Sequence, residues 1–209
     1  MKRVFLFILI SGIISVSCKK DESEDNQTPV PTPDYMQLKV GNYWVYQWYS
    51  VDSSGNANPI ANSDSSIITA DTLIGGRTYF KKLIVQNENF VEFLRDSNGY
   101  LVDHMGIVRF SDHDFTNILR VEEIVPDVAT VEYQMANQDS LISISLGTYP
   151  TYNFRGTVSP MDPQYLFGIN YTHNFYADGM GLIKTSSYYF SNPNLRVERR
   201  LIRYGNILE

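Results

Sequence analysis

The chain has 209 residues, 43% of them hydrophobic and 19% charged, with 17 basic against 23 acidic side chains and a formal net charge of −6. That acidity argues against nucleic acid and against an anionic lipid surface as partners, since both are held through basic patches. A single cysteine excludes a disulfide framework.

Lys2 and Arg3 precede the apolar run VFLFILISGIISV at residues 4–16. The run is shorter than the roughly 20 residues that span a bilayer. A basic head, a short apolar stretch and a small-residue exit mark residues 1–17 as a secretory signal peptide. The exit, Ser15-Val16-Ser17-Cys18, resembles a bacterial lipobox. The resemblance implies that Cys18 becomes the first residue of the mature chain, diacylated on sulfur and acylated on its amine. Anchoring by several acyl chains is firm, because each buried CH₂ contributes about 0.8 kcal/mol. Removal of residues 1–17 would leave 15 basic against 23 acidic side chains, so the mature chain is more acidic still.

Residues 18–34 combine high charge with three alternating prolines, Pro29, Pro31 and Pro33, and carry no apolar periodicity. This predicts a disordered, extended tether with a reach on the order of 50 Å. Within it, Lys20-Asp21-Glu22 follows the lipidated cysteine closely, and Ser23-Glu24-Asp25 repeats the acidic theme. Both are similar to the surface-export signal of lipoproteins in the Bacteroidota, which implies an outer-membrane anchor with the domain on the cell surface.

Residues 35–209 read as one β domain, long enough to bury a sizeable core. In chain order, strands are predicted at 43–51, 66–74 and 77–85, the last two flanking the hairpin signal Gly75-Gly76. Strands at 90–96 and 100–105 flank Ser97-Asn98-Gly99. Further strands fall at 129–135, 140–146, 151–158, 168–176, 182–190 and 195–204. In SLISISL (140–146) the alternation turns Ile142, Ile144 and Leu146 inward and Ser143 and Ser145 outward. Residues 112–125 are the best candidate for helix, and the stretch reads as one short helix or an irregular connection. The fold class predicted is all-β: a single antiparallel meander forming a curved sheet, half-barrel or barrel, with at most one short helix.

Leu38-Lys39-Val40-Gly41-Asn42-Tyr43-Trp44-Val45-Tyr46 is similar to the L-x-x-G-N-Y-W-x-Y opening of uncharacterised envelope lipoproteins of the Bacteroidota. Gly179-Met180-Gly181-Leu182 resembles their late G-x-G-L element. The resemblance implies a lipoprotein-carrier or lipocalin-like half-barrel and no established activity. Mechanically, Gly179 and Gly181 supply a positive φ or a close backbone approach where the sheet bends.

The chemistry-bearing residues are sparse. His104, His113 and His173 are the only histidines, and with Asp103, Asp112 and Asp114 they lack the spacing of a zinc site. The turns starting at Asp52 and Asp96 have a glycine too early for a calcium loop. There is no G-x-S-x-G elbow, and Glu88, Glu92, Asp127 and Glu132 read as ordinary strand or loop acids. No cofactor, no metal and no catalysis are expected. Asp71-Thr72-Leu73 and Asp139-Ser140-Leu141 resemble Asp-Ser/Thr-aliphatic O-glycosylation sites of exported Bacteroidota proteins, which makes Thr72 and Ser140 candidate acceptors. Trp44, Tyr46 and Trp48 share parity on one strand and form either a core stripe or a wall for an apolar or glycan ligand. Two functions follow: a non-catalytic ligand binder, or a structural subunit of an envelope complex that partners other envelope proteins and takes no small ligand. An aromatic-lined cavity would favour the binder; a packed interior with an exposed apolar patch would favour the subunit.

Overall fold

Strands β1 (Asn42–Val51), β2 (Ala57–Ile74), β3 (Arg77–Val85), β4 (Phe90–Asp96), β5 (Tyr100–Asp103), β6 (Val108–Ser111) and β7 (Arg120–Val125) form the first part of the chain. They are followed by β8 (Ala129–Met135), β9 (Ser140–Ile144), β10 (Gly147–Pro160), β11 (Asn170–Ala177), β12 (Gly181–Tyr189) and β13 (Asn192–Asn206). This computed structural model describes residues 32–85, 90–162, 164, 168–189 and 192–208. The signal peptide, Cys18, the export-signal residues and Glu88 lie outside the described residues.

All pairings are antiparallel, in the order β6-β5-β4-β3-β2-β1-β13-β12-β11-β10-β8-β7, with β9 pairing on β10. Two meander arms are therefore joined where the first strand pairs with the last, Asn42 opposite Asn206 and Val51 opposite Arg196. The sheet curls until it is nearly closed into a barrel, as the spacing of short strands and turns indicates. Register shifts at Val45/Tyr46, Gln47/Tyr49 and Phe175/Tyr176 bend the strands and drive that curl. The two edges, β6 and β7, do not share a ladder. Instead the connection between them runs beside β8, where Leu119 N–H donates to the Tyr133 carbonyl at 2.8 Å and Ser111 N–H meets Met135 Sδ at 3.5 Å.

Of the two alternatives for residues 112–125, the structure has the irregular connection and no helix. The Ser111 hydroxyl accepts from the backbone of His113 and Asp114, and the Asp114 carboxylate accepts from the backbone of Thr116 and Asn117. Such side-chain caps hold turns in place of a helical ladder, and β7 begins only at Arg120. Ser145 and Leu146 form the β9–β10 turn, so Leu146 is exposed while Ile142 and Ile144 pack inward. At Gly75-Gly76 both residues have positive φ (57° and 75°), the requirement of a tight two-residue hairpin.

One group of buried side chains joins Leu94, Leu101 and Phe110 of the first arm to Val131, Met135, Phe154 and Tyr176 of the second. Another gathers Trp44, Tyr46 and Ile68 with Met180, Ile183 and Leu201. The opening and late motifs meet here. Trp44 Nε1–H donates to the Met180 carbonyl at 2.7 Å and the Tyr46 hydroxyl to the Leu182 carbonyl at 2.8 Å. Gly179 N–H donates to Asp34, and Asp34 N–H donates to the Asp178 carboxylate at 2.7 Å. Gly181, at φ 77°, starts β12 beneath the Trp44 indole; a Cβ there would lie 3.6 Å from its Nε1.

Candidate functional site

Alternation along β1 sends Trp44, Tyr46 and Trp48 to the inner face of the barrel, and the three end in different surroundings. Trp44 is 5% exposed and Tyr46 1%. The segment that precedes β1 covers that end: Tyr35 stacks on Tyr152 at 4.4 Å, and Met36 and Leu38 pack against the same core. Trp48, nearer the other end, is half-buried and faces a cavity of about 330 Å³.

The cavity lies between the two arms. Its apolar wall includes Trp48, Phe90, Leu94, Leu101, Phe154 and Tyr176. Phe90, 45% exposed, stands at the rim. The remaining wall is polar: Lys82, Arg109, Arg120 and Arg199, the amide of Asn174 and, among the described residues, a single carboxylate, Glu92. Lys82 and Arg199 reach the interior by strand parity, whereas Arg109 is the extra residue at a register shift between β5 and β6. Lys82 shares its parity with Phe80 and Ile84 on β3, and Arg199 with Leu201 on β13.

Two of the four cations are neutralised from behind. Asp64, 4% exposed, accepts from Arg199 Nε at 3.0 and 2.8 Å through its two oxygens and also meets Arg199 Nη2. The same carboxylate accepts from Trp48 Nε1–H at 2.6 Å, which fixes the indole against the wall. The Arg199 guanidinium lies 3.5 Å above the Tyr46 ring, an attraction strengthened by desolvation. Arg109 pairs with Asp103 at 2.9 Å.

Lys82 and Arg120 are less committed. Lys82 faces Glu92 across the β3–β4 ladder, yet among the described residues no carboxylate is within ion-pair distance; its ammonium lies 5.1 Å from the Trp44 ring. Burial pushes the Lys82 ammonium down from 10.5 to about 8, against the attraction of Glu92. Arg120 stacks on Tyr133 at 3.7 Å. Its Nε is buried without a hydrogen-bond acceptor, and its one acidic neighbour, Glu122, is 3.5 Å away with a side chain 38% exposed. Tyr46 is pushed up to about 12 by burial, with Arg199 opposing, and burial also raises Tyr176.

The other candidate residues are dispersed. His104 is exposed and His113 pairs only with its neighbour Asp112, at 2.6 Å. His173 is half-buried on the outer face, against Asn153 at 3.0 Å and the Phe175 ring. Among the described residues no three His, Asp or Glu side chains converge as a metal site. Thr72 is exposed near the end of β2, whereas Ser140 is half-buried at the start of β9. The cavity's charged residues were not singled out by the sequence reading, apart from Glu92, which was taken for an ordinary acid. Parity with apolar neighbours was the available signal.

No protein-family model matches the chain, and no curated protein does. Solved structures do resemble it. One is a candidate exported protein with a YmcC-like fold from Bacteroides fragilis, with a TM-score of 0.52 and 10% identity over 84% of this chain and 100% of that one. Another is a candidate lipoprotein from Parabacteroides distasonis, with a TM-score of 0.52 and 11% identity over 84% of this chain and 100% of that one. At these identities the likeness establishes a shared fold.

Proposed function

We propose that this chain is a lipid-anchored protein of the bacterial outer membrane, exposed at the cell surface, whose barrel holds a small ligand without transforming it. The observation that carries the binding role is the interior cavity of about 330 Å³ walled by Trp48, Phe90, Phe154 and Tyr176. It falls within the usual size range of ligand sites, roughly 300–1,000 Å³, and mixes apolar walls with a few polar groups as they do. The anchor rests on Ser15-Val16-Ser17-Cys18, and the outward orientation on Lys20-Asp21-Glu22. That similar folds occur in an exported protein and a lipoprotein, both candidates from related bacteria, supports the envelope assignment.

A second reading, a structural subunit of an envelope complex, draws support from a groove of about 170 Å³ lined by Ile124 and Val158 and by the exposed Tyr171, Tyr188 and Tyr189. Of the two candidate acceptors for O-glycosylation, the exposed Thr72 is the better placed for modification.

Cell fractionation tests the anchor. Cys18→Ala should accumulate as an unacylated, unprocessed precursor, and external protease should remove the wild-type domain from intact cells. Replacing Asp21 and Glu22 with Ala should protect it. A processed, acylated Cys18→Ala product would end the lipoprotein reading; equal protease resistance of both forms would leave an inward-facing anchor.

A further inference from the structure

Within the cavity, the balance of charge points to the kind of ligand. Arg199 is committed to Asp64 by a forked pair, and Arg109 gives Nη2 to Asp103. Among the described residues Glu92 is the one carboxylate on the wall, and it stands across the ladder from Lys82. That leaves Arg120 with Glu122 as its ion-pair partner among the described residues, a carboxylate 3.5 Å from the buried Nε on a side chain that is 38% exposed. Among the described residues nothing accepts a hydrogen bond from its guanidinium. Arg109 Nε likewise has no acceptor. The two arginines come from β6 and β7, the two edges of the sheet, and both line the cavity. A guanidinium fork is matched in shape by a carboxylate, sulfate or phosphate. The rest of the wall is mainly apolar, from Trp48 and Phe90 to Leu94 and Leu101, with the Asn174 amide among it.

We propose that the cavity takes an anionic amphiphile, its single acid group seated on Arg120 with Arg109 and Lys82 beside it and its apolar body lying along Trp48, Phe90 and Leu94. This rests on the ligand-holding reading of the barrel and names the chemical class of ligand. Burial of a free guanidinium is costly, and an arriving anion removes that cost. A neutral chain of the same length does not. Lys82 adds a pH dependence. It is charged below about 8 and faces Glu92 of β4, Asp64 of β2, Arg199 of β13 and the Trp44 ring of β1. An arginine guanidinium is always charged in proteins. Affinity for an acid should therefore fall as pH rises through about 8.

Titration calorimetry of the full chain in phosphatidylcholine nanodiscs, with empty discs subtracted, tests this using octanoate and 1-octanol. At pH 7 octanoate should bind about tenfold or more tightly than octanol, the difference one charge-assisted hydrogen bond makes. In Arg120→Gln the octanoate-to-octanol ratio should collapse toward one. In Lys82→Met the ratio should drop and lose its dependence on pH between 7 and 9. Thermal melting confirms that each variant is folded. Equal affinities in the wild-type chain, or a ratio untouched by both substitutions, would overturn the acid seat and leave a ligand-holding barrel. Binding of neither probe would overturn the acid seat and the barrel reading together.

Discussion

Trp44 and Trp48 stand on the same face of the same strand, and their environments differ by what lies above them. Over Trp44 are Met36, Leu38 and the Asp178–Gly181 turn, which can be packed to the density of a protein interior, with the Lys82 ammonium 5.1 Å from the indole ring. Over Trp48 the barrel presents Lys82, Glu92, Arg109, Arg120 and Arg199. Charged groups cannot be pressed together without losing hydration, so that end keeps a cavity. The indole N–H groups follow the same division: one ends on a backbone carbonyl, the other on a buried carboxylate already shared with Arg199. An aromatic stripe is thus core at one end and wall at the other. Aromatic content alone does not decide which.

Truncation should expose the contrast most strongly. Trp44→Ala empties a close-packed site and should cost about 3–5 kcal/mol in urea denaturation. Trp48→Ala enlarges a space that already exists and should cost about 1–2 kcal/mol, chiefly a hydrogen bond and partial burial. Equal losses would erase the distinction between the two ends.

Lys82→Met should act in the other direction, with a smaller effect. The folded-state pKa, about 8, lies below the ordinary 10.5, so the folded protein disfavours the charged lysine. That cost is fully present below pH 8 and fades as pH rises toward 10.5. The variant should therefore be more stable than wild type by about 1–3 kcal/mol at pH 7, and the gap should narrow between pH 8 and 10. Melting temperatures across that range would check it; a gap independent of pH would show that Lys82 is solvated like a surface lysine.

Much of the fold could be read from the chain because the strands were locally consistent. The runs at 77–85, 90–96 and 129–135 have the same boundaries as β3, β4 and β8. The first half of β2 was hidden by Asn58, Pro59 and Asp64, residues that suggest a turn. It forms because β1 supplies a long partner, with a register shift and the Gln47 amide bonding the Ile60 carbonyl at 2.6 Å. β6 has only four residues, too few for a period. For the site, the aromatic half was legible and the cationic half was not. A lysine or arginine in an alternating strand normally marks the wet face, and only the width of a twelve-strand circuit lets Lys82 and Arg199 point inward. Parity located the face, while depth along the barrel depended on which segments cover each end.

The most direct test of this division is the emission of two single-tryptophan chains, Trp44→Phe and Trp48→Phe. With Trp48 alone remaining, emission should be red-shifted by its partly wet, charged surroundings and should shift or quench saturably as octanoate is added. With Trp44 alone, emission should be blue and should respond less to the same titration, being linked to the acid seat through the Lys82 ammonium, 5.1 Å from its ring. If Trp48 also emits blue and no titration moves it, its end is packed core, and the account of an open, ligand-holding half of the barrel is contradicted.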